Sequence, residues 1–483
     1  MRKVFVLLLV LLLFCTACGS PDSQIVTATA PPMRKSLTVE WTYSTPDAQW
    51  ESQEAVMLTP GDAGKRADIY INTNDLVQEV TGFGGCFNEK GWAALSVLSP
   101  GERDAVLREM FDPAEGARFN LCRVPIGASD YALSRYTLNE TDGDYGMDHF
   151  SIERDRENLI PYIKAAMEHR PDLRIWGSAW TPPTWMKTNG DFDGGHMKDD
   201  PEVYQAYALY LARFVEEYRT EGIDLFAVAV QNEPRIETHY PSCLWGSNQF
   251  ETFIKDHLGP LFAERPVDAS IMLGTLQEGD FWTFPSLLND PDVNKYVSIV
   301  GYQWSGVYAV PQTRKEFPDK LIYQTETECG NCHWKDGFNP DRPPNDWAYG
   351  VYTWHKIKEY FDAGVNAYLL WNMVLDEEGK SIDAKLPWPQ NAAITVDKDT
   401  AEVTYTPMFY AFKHFSHYVQ PGARYVNIDG GDNAVAFLNP DGSLVIELQN
   451  AHEEPRTMTL HIDGGAMTLE LPAVSWNTLV VPD

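Results

Sequence analysis

A chain of 483 residues that is 44% hydrophobic and 12% aromatic has enough apolar material for one large core plus a second module, which excludes a disordered chain. Lys and Arg number 38 against 69 Asp and Glu, and the net charge of −31 repels phosphodiester backbones and anionic lipid, which excludes nucleic acid as a partner and charge-driven membrane docking. The 15 Trp and 23 Tyr supply many flat faces of the kind that both fill cores and bind sugar rings.

The chain opens with Arg2 and Lys3, followed by an unbroken apolar run from Val4 to Phe14. That run is too short to span a bilayer and has the length of a signal-peptide core. It ends at Cys15-Thr16-Ala17-Cys18-Gly19-Ser20, where small residues before Cys18 resemble a bacterial lipobox, with Cys15 standing where Leu is usual. Residues 1–17 are therefore expected to be a lipoprotein-type signal peptide, with Cys18 as the lipidated residue; plain secretion is the alternative. Residues 18–35, rich in Ser, Pro, Thr and Ala, are expected to be a flexible tether. The protein is thus expected to be exported, and to meet a membrane only through an N-terminal anchor.

Five further cysteines follow: Cys86, Cys122, Cys243, Cys329 and Cys332, an odd number, so at least one is a free thiol or bonds another chain. Cys329-Gly330-Asn331-Cys332 is a CxxC, but no thioredoxin-like βαβ pattern surrounds it and no second ligand pair makes it a zinc site. A loop thiol pair, with a local disulfide as one form, is the expectation. No metal and no organic cofactor is expected.

Residues 36–75 show short strand-like pieces, such as Ser36 to Thr42 and Ala67 to Asn72, separated by Gly, Pro and Asp turns. From residue 76 to 405 apolar strands alternate with amphipathic helices. The strand candidates are Val80 to Phe87, Phe119 to Pro125, Leu173 to Trp180, Leu225 to Gln231, Ser270 to Thr275, Val297 to Trp304, Leu321 to Glu326 and Ala367 to Asn372. Ser99-Pro100-Gly101-Glu102 is a capping box with Pro at the first helical position, and Asp200-Pro201 opens a helix that stops at Gly222. About eight strand–helix repeats predict an α/β fold of the (β/α)8, or TIM, barrel type. A doubly wound open sheet is the structural alternative, but Gly82-Phe83-Gly84-Gly85 lies inside a strand and lacks the phosphate-turn spacing. Residues 406–483 begin with a helix-like stretch and continue as short alternating strands. They predict a small all-β sandwich that the N-terminal strands share.

Catalytic side chains of such a barrel stand at the C-terminal ends of its strands. In chain order those ends carry Asn88 and Glu89, Arg123, Trp180, Asn232 and Glu233, Gln303 and Trp304, Glu326, and Trp371 and Asn372. Two carboxyls on different strands, ringed by Trp, Asn and Arg, suit glycoside hydrolysis, which needs one protonated acid at the leaving oxygen and one carboxylate at the anomeric carbon. The sharpest signal is Val228 to Gln231 running into Asn232-Glu233-Pro234, an apolar strand that stops at a proline.

These residues resemble a known family. Gly82-Phe83-Gly84-Gly85, Arg123-Val124-Pro125, the run Ser178-Ala179-Trp180-Thr181-Pro182-Pro183-Thr184-Trp185-Met186-Lys187-Thr188-Asn189-Gly190, Asn232-Glu233-Pro234, and Phe415 to Gly422 are similar to glycoside hydrolase family 30, the glucosylceramidase (acid β-glucosidase) family. The resemblance covers residue 36 to the end of the sequence. It implies Glu233 as acid/base, Glu326 as nucleophile, Asn232 as donor to the sugar 2-hydroxyl, and Arg123, Trp180 and Trp371 around the sugar. Glu89 stands where a shorter acid touches the sugar in the lysosomal members, and Gln303-Trp304-Ser305 replaces their His-Trp-Tyr, so Glu89, Gln303 and Trp304 are also expected at the substrate. Glu328 remains a second candidate nucleophile, because i and i+2 of a strand face the same way. Glu326 is favoured, since Glu328 abuts the loop-like Cys329-Gly330-Asn331.

The expectation is a retaining β-glycosidase acting by double displacement on β-glucosides, either glucosylceramide-like or oligosaccharide. The alternatives on the same scaffold are β-1,6-glucan, β-xylan or β-xyloside, and β-fucoside hydrolysis. A surface lipoprotein that binds glycans without cleaving them is the reading from a different class. The expected partner is a carbohydrate or glycolipid substrate.

Overall fold

The computed structural model describes residues 35–61, 66–265 and 267–483. The leader, Cys18 and all but the last residue of the tether lie outside the described residues.

Eight parallel strands close into a barrel: β1 (Gly82–Cys86), β2 (Leu121–Ile126), β3 (Arg174–Ala179), β4 (Leu225–Ala229), β5 (Ser270–Leu276), β6 (Val297–Gln303), β7 (Leu321–Glu326) and β8 (Ala367–Asn372), with β8 pairing back onto β1. Each falls on a run that the apolar pattern picks out. Being covered by helices outside and side chains inside, they are buried along nearly their whole length and rich in apolar residues. Two helices start where their caps predict. Ser99 accepts from Glu102 N while Glu102 accepts from Ser99 N, opening Pro100–Phe111. Asp200 caps Pro201–Thr220, which buries Tyr204, Tyr207, Leu211, Phe214, Val215 and Tyr218, and Gly222 then turns the chain at φ +80°.

The lower barrel is plugged by Leu121, Trp176, Ala227, Ala229, Met272, Ile299, Tyr323, Ala367 and Leu369. Two residues further along a strand lies on the same face. The inward set therefore continues upward as Arg123 on β2, Ser178 on β3 and Trp371 on β8, which places them above an apolar floor.

The second layer is a ten-stranded sheet built from both ends of the chain. Its order is 48–52, 37–45, 475–481, 444–450, 434–438, 424–430, 69–79, 456–462, 465–471 and 56–60, and the last strand pairs back with Leu37–Val39, so the sheet folds over itself around its own apolar core. The sharing of one sandwich by the two chain ends is as expected. Two boundaries move. Strand Ile69–Glu79 pairs with Arg424–Gly430 along its length, so the sandwich extends past residue 75. Helix Pro407–Tyr418 packs on helix Trp347–Ala363 and on β1, with Phe409, Phe412 and Phe415 buried in the barrel's helical layer. It completes the eighth strand–helix unit, and the barrel runs to Tyr418 rather than to residue 405.

Candidate active site

A cavity of about 470 Å³ opens at the C-terminal end of the barrel strands, lined deep down by Asp130, Trp180, Asn232, Glu233, Glu326 and Trp371. Trp304, Trp334 and Trp388 make one wall and Glu237 to Tyr240 another. Glu233 and Glu326 are 7% and 5% exposed, so both carboxyls look into this space while being largely withdrawn from water.

Glu326 reaches the cavity through an irregularity in β7. Tyr302 pairs with Gln324 but Gln303 pairs with Glu326, so Thr325 is one residue too many in the ladder and Glu326 takes the inward position. The extra residue is tied off: Thr325 Oγ1 donates to Tyr302 O at 3.1 Å and to Gln303 Oε1 at 3.2 Å. Glu328, two residues on, turns away and bonds Lys335 Nζ and the Tyr352 hydroxyl. Of the two candidate acids on this strand end, only Glu326 faces the cavity.

Glu233 follows β4 in a left-handed conformation, φ +48°, and Trp304 follows β6 at φ +52°. Neither is a conformation that a side chain with a Cβ adopts freely, and Pro234 restricts Glu233 further. Surrounding bonds hold it there. Asn232 N donates to Ala179 O at 2.7 Å, Glu233 N to Thr275 O at 3.0 Å and Trp245 N to Pro234 O at 2.7 Å.

Arg123 is fully buried beneath the cavity. Its Nη1 donates to Glu326 Oε2 at 2.8 Å, and its Nη2 donates to Ser178 Oγ at 2.9 Å and to Asn232 Oδ1 at 2.7 Å. Its guanidinium sits 4.3 Å from the centre of the Trp180 ring, and Trp180 in turn stacks on Trp371 at 5.2 Å. Asn232 Oδ1 also accepts from Thr275 Oγ1 at 2.9 Å and from Gln303 Nε2 at 3.3 Å. Three donors on the amide oxygen fix the flip of the side chain, so its NH2 group is the end offered to a ligand. Gln303 is oriented likewise: its oxygen accepts from Thr325, and its Nε2 donates to Glu233 Oε1 at 3.1 Å.

The two carboxyls differ in electrical surroundings. Burial, followed by the like charge of Glu326, pushes the Glu233 carboxyl up to about 8, with the Gln303 donor opposing. Burial raises Glu326 as well, but there the Arg123 charge and donors from Trp304, Arg123 and Gln303 oppose it. Trp304 Nε1 donates to Glu326 Oε1 at 3.1 Å. With one proton between them, the proton belongs on Glu233 and the charge on Glu326.

Of the residues expected at the sugar, Trp180, Asn232, Trp304 and Trp371 line the cavity beside the two glutamates. Arg123 and Gln303 do not line it; they hold the carboxyls and Asn232 from beneath. Glu89 is a correction. Its Oε1 accepts from Arg154 Nε at 3.0 Å and its Oε2 from Leu133 N at 2.8 Å, so the carboxylate is consumed as the buried partner of Arg154 at the start of helix Glu89–Leu95. The acid that faces the cavity from this side is Asp130, after β2, pushed up to about 8 by burial and by Glu326, with an Oδ1 that has no hydrogen-bond partner. Its signal was present in Arg123-Val124-Pro125-Ile126-Gly127-Ala128-Ser129-Asp130: an acid seven residues beyond a strand-end arginine, in the loop rather than on the strand. The five described cysteines are all buried and free, Cys329 and Cys332 included. Among the described residues no three His, Cys, Asp or Glu side chains group to hold a metal ion.

The profile of the glycosyl hydrolase family 30 TIM-barrel domain matches residues 80–419, and that of the family's β-sandwich domain matches 422–479. The chain belongs to glycoside hydrolase family 30. It is 30% identical over 407 residues to the lysosomal acid glucosylceramidase of Mus musculus, covering 79% of this chain and 77% of that one. It is 26% identical over 443 residues to an endo-1,6-β-D-glucanase of Aspergillus fumigatus, covering 84% and 85%. Among solved structures, SrfJ from Salmonella typhimurium shares the fold seen here with a TM-score of 0.83 at 24% identity, over 92% of this chain and 100% of that one. This family 30 member is a glycoside hydrolase, which removes the non-catalytic glycan binder from the readings.

Proposed function

We propose that this family 30 enzyme cleaves β-glucosides with net retention, with Glu326 as nucleophile and Glu233 as acid and then base. The observation that carries it is the asymmetry of the pair, one carboxyl on the Arg123 guanidinium and the other beside a neutral amide. Ionised Glu326 attacks the anomeric carbon as Glu233 gives its proton to the leaving oxygen, so the glycosidic bond breaks and a glycosyl ester forms. Glu233, now ionised, takes a proton from water, whose oxygen attacks the same carbon and releases Glu326. The Asn232 NH2 donates to a ring hydroxyl, and the Trp180–Trp371 stack walls the ring. The names of the relatives, a glucosylceramidase and endo-1,6-glucanases, support glucose as the sugar.

The test has two parts. Proton NMR of the first product from an aryl β-glucoside should show the β-anomer; an α-anomer overturns retention. A 2-deoxy-2-fluoro glycoside should accumulate as an ester on the peptide carrying Glu326, and an ester on Glu328 overturns the nucleophile. The leader and Cys18 support an exported, lipid-anchored enzyme. Palmitate labelling in a bacterial host should be lost in Cys18→Ser, and labelling that persists overturns the anchor.

A further inference from the structure

The loop after β8 does more than supply lining residues. Its base is closed by an antiparallel bridge between Lys380 and Pro389 and by Gln390 N donating to Gly379 O at 2.9 Å, and the Tyr131 hydroxyl anchors it through Gly379 O at 3.0 Å. Its tip then crosses to two other loops. Ile382 N donates to Asp130 O at 2.8 Å, in the loop after β2, and Ala384 N donates to His239 O at 2.9 Å, in the loop after β4. Asp383, between those two bonds, lines the cavity.

Arg135 fastens the crossing. Its Nε and Nη2 form a fork on the Asp193 carboxylate at 2.8 Å each, and Nη2 also donates to His239 O at 2.7 Å and Ile382 O at 3.3 Å. One planar cation thus joins the loops that follow β2, β3, β4 and β8.

The side on which this strap lies matters. Asp130 lines the same cavity as Glu233 and Glu326, so within that space it is an acid available to the hydroxyls of a sugar seated between the two glutamates. The strap is bonded to the backbone of Asp130 itself. We propose that residues 380–389, clamped by Arg135, wall off the end of the cavity beyond the sugar, so that the enzyme takes terminal, unsubstituted glycosyl residues and does not cut inside a chain. This rests on the assignment of Glu233 and Glu326 above. Asp130 and Asp383 face that end as hydroxyl acceptors. A sugar substituted there would collide with the strap and would leave a buried carboxyl without its donor, a loss that costs far more than a missing apolar contact.

The probe is 4-nitrophenyl β-gentiobioside, compared with 4-nitrophenyl β-glucoside. The wild type is expected to give glucose and 4-nitrophenyl glucoside as first products; first release of gentiobiose and nitrophenol overturns the proposal. Arg135→Ala, and independently Asp193→Ala on a different loop, are expected to raise the gentiobiose share at least tenfold while still cleaving the monoglucoside. If both variants keep the simple activity and an unchanged product pattern, the clamp is overturned. If the wild type hydrolyses neither probe nor any other aryl β-glycoside, the failure is that of the catalytic assignment, and this inference falls with it.

Discussion

Arg123 donates to Glu326 across 2.8 Å, the arginine being fully buried and the glutamate nearly so. The arginine's charge opposes the burial penalty that raises the Glu326 carboxyl. Replacing it with Met leaves a buried carboxylate without its counter-charge. Arg123→Met should lower kcat/KM at pH 7 by roughly 100-fold or more. It should also move the acid limb of the pH–rate profile upward, and an unmoved acid limb with equal activity would show that the ion pair is structural only.

The base limb belongs to Glu233. It must carry a proton to act first as an acid, and burial with the neighbouring Glu326 places that proton loss at about 8. Plots of log kcat/KM against pH should therefore turn down near 8. Glu233→Gln should remove that limb and slow substrates with poor leaving groups by about 10³-fold, while aryl glycosides with activated leaving groups suffer far less in the first step.

The same shift has a cost in stability. Folding raises the Glu233 pKa above its unfolded value, so the folded state binds the proton more tightly and stability falls as pH climbs from the ordinary carboxylate range to about 8. Glu233→Gln carries no such dependence. Its melting temperature should exceed that of the wild type by roughly 1–3 °C at pH 8 and match it near pH 4.5, as checked by calorimetry.

Glu328 and Glu89 are acids that the strand register put forward and the cavity does not use. Glu328→Gln should retain activity within about tenfold, whereas Glu326→Gln should lose about 10³-fold or more on the same aryl β-glucoside. Glu89→Gln leaves Arg154 without its charge partner and should lower the melting temperature while leaving KM within about twofold.

The barrel was legible because its strands are buried on both faces and helices such as Pro100–Phe111 and Pro201–Thr220 carry side-chain caps; an apolar run such as Leu225–Ala229 needs no tertiary knowledge to be seen. Glu233 and Asn232 were legible for the same reason, since a strand that ends in Asn-Glu-Pro announces a barrel rim. Glu89 misled because strand-end logic cannot tell which of several acids points inward, and its neighbour Asn88 leaves β1 to cap a helix. The strap was out of reach because it is set by contacts among loops far apart in sequence, Arg135 to Ile382 being one, and no local periodicity records such pairings. The sandwich boundary at Glu79 was missed because Ile69–Glu79 bends through two irregular registers against Arg424–Gly430.

The pairing of Leu37–Thr45 with Ser475–Val481 has a consequence for how the molecule is made. The barrel's strands and helices all lie between these two segments, so every one of them leaves the ribosome before the early strand meets its late partner. Until that strand is made, residues 37–45 offer an unsatisfied edge, the kind of surface that pairs with whatever strand it meets. Closure of the sandwich thus waits for residues 475–481, and a chain cut short before residue 475 leaves the 37–45 edge without that partner.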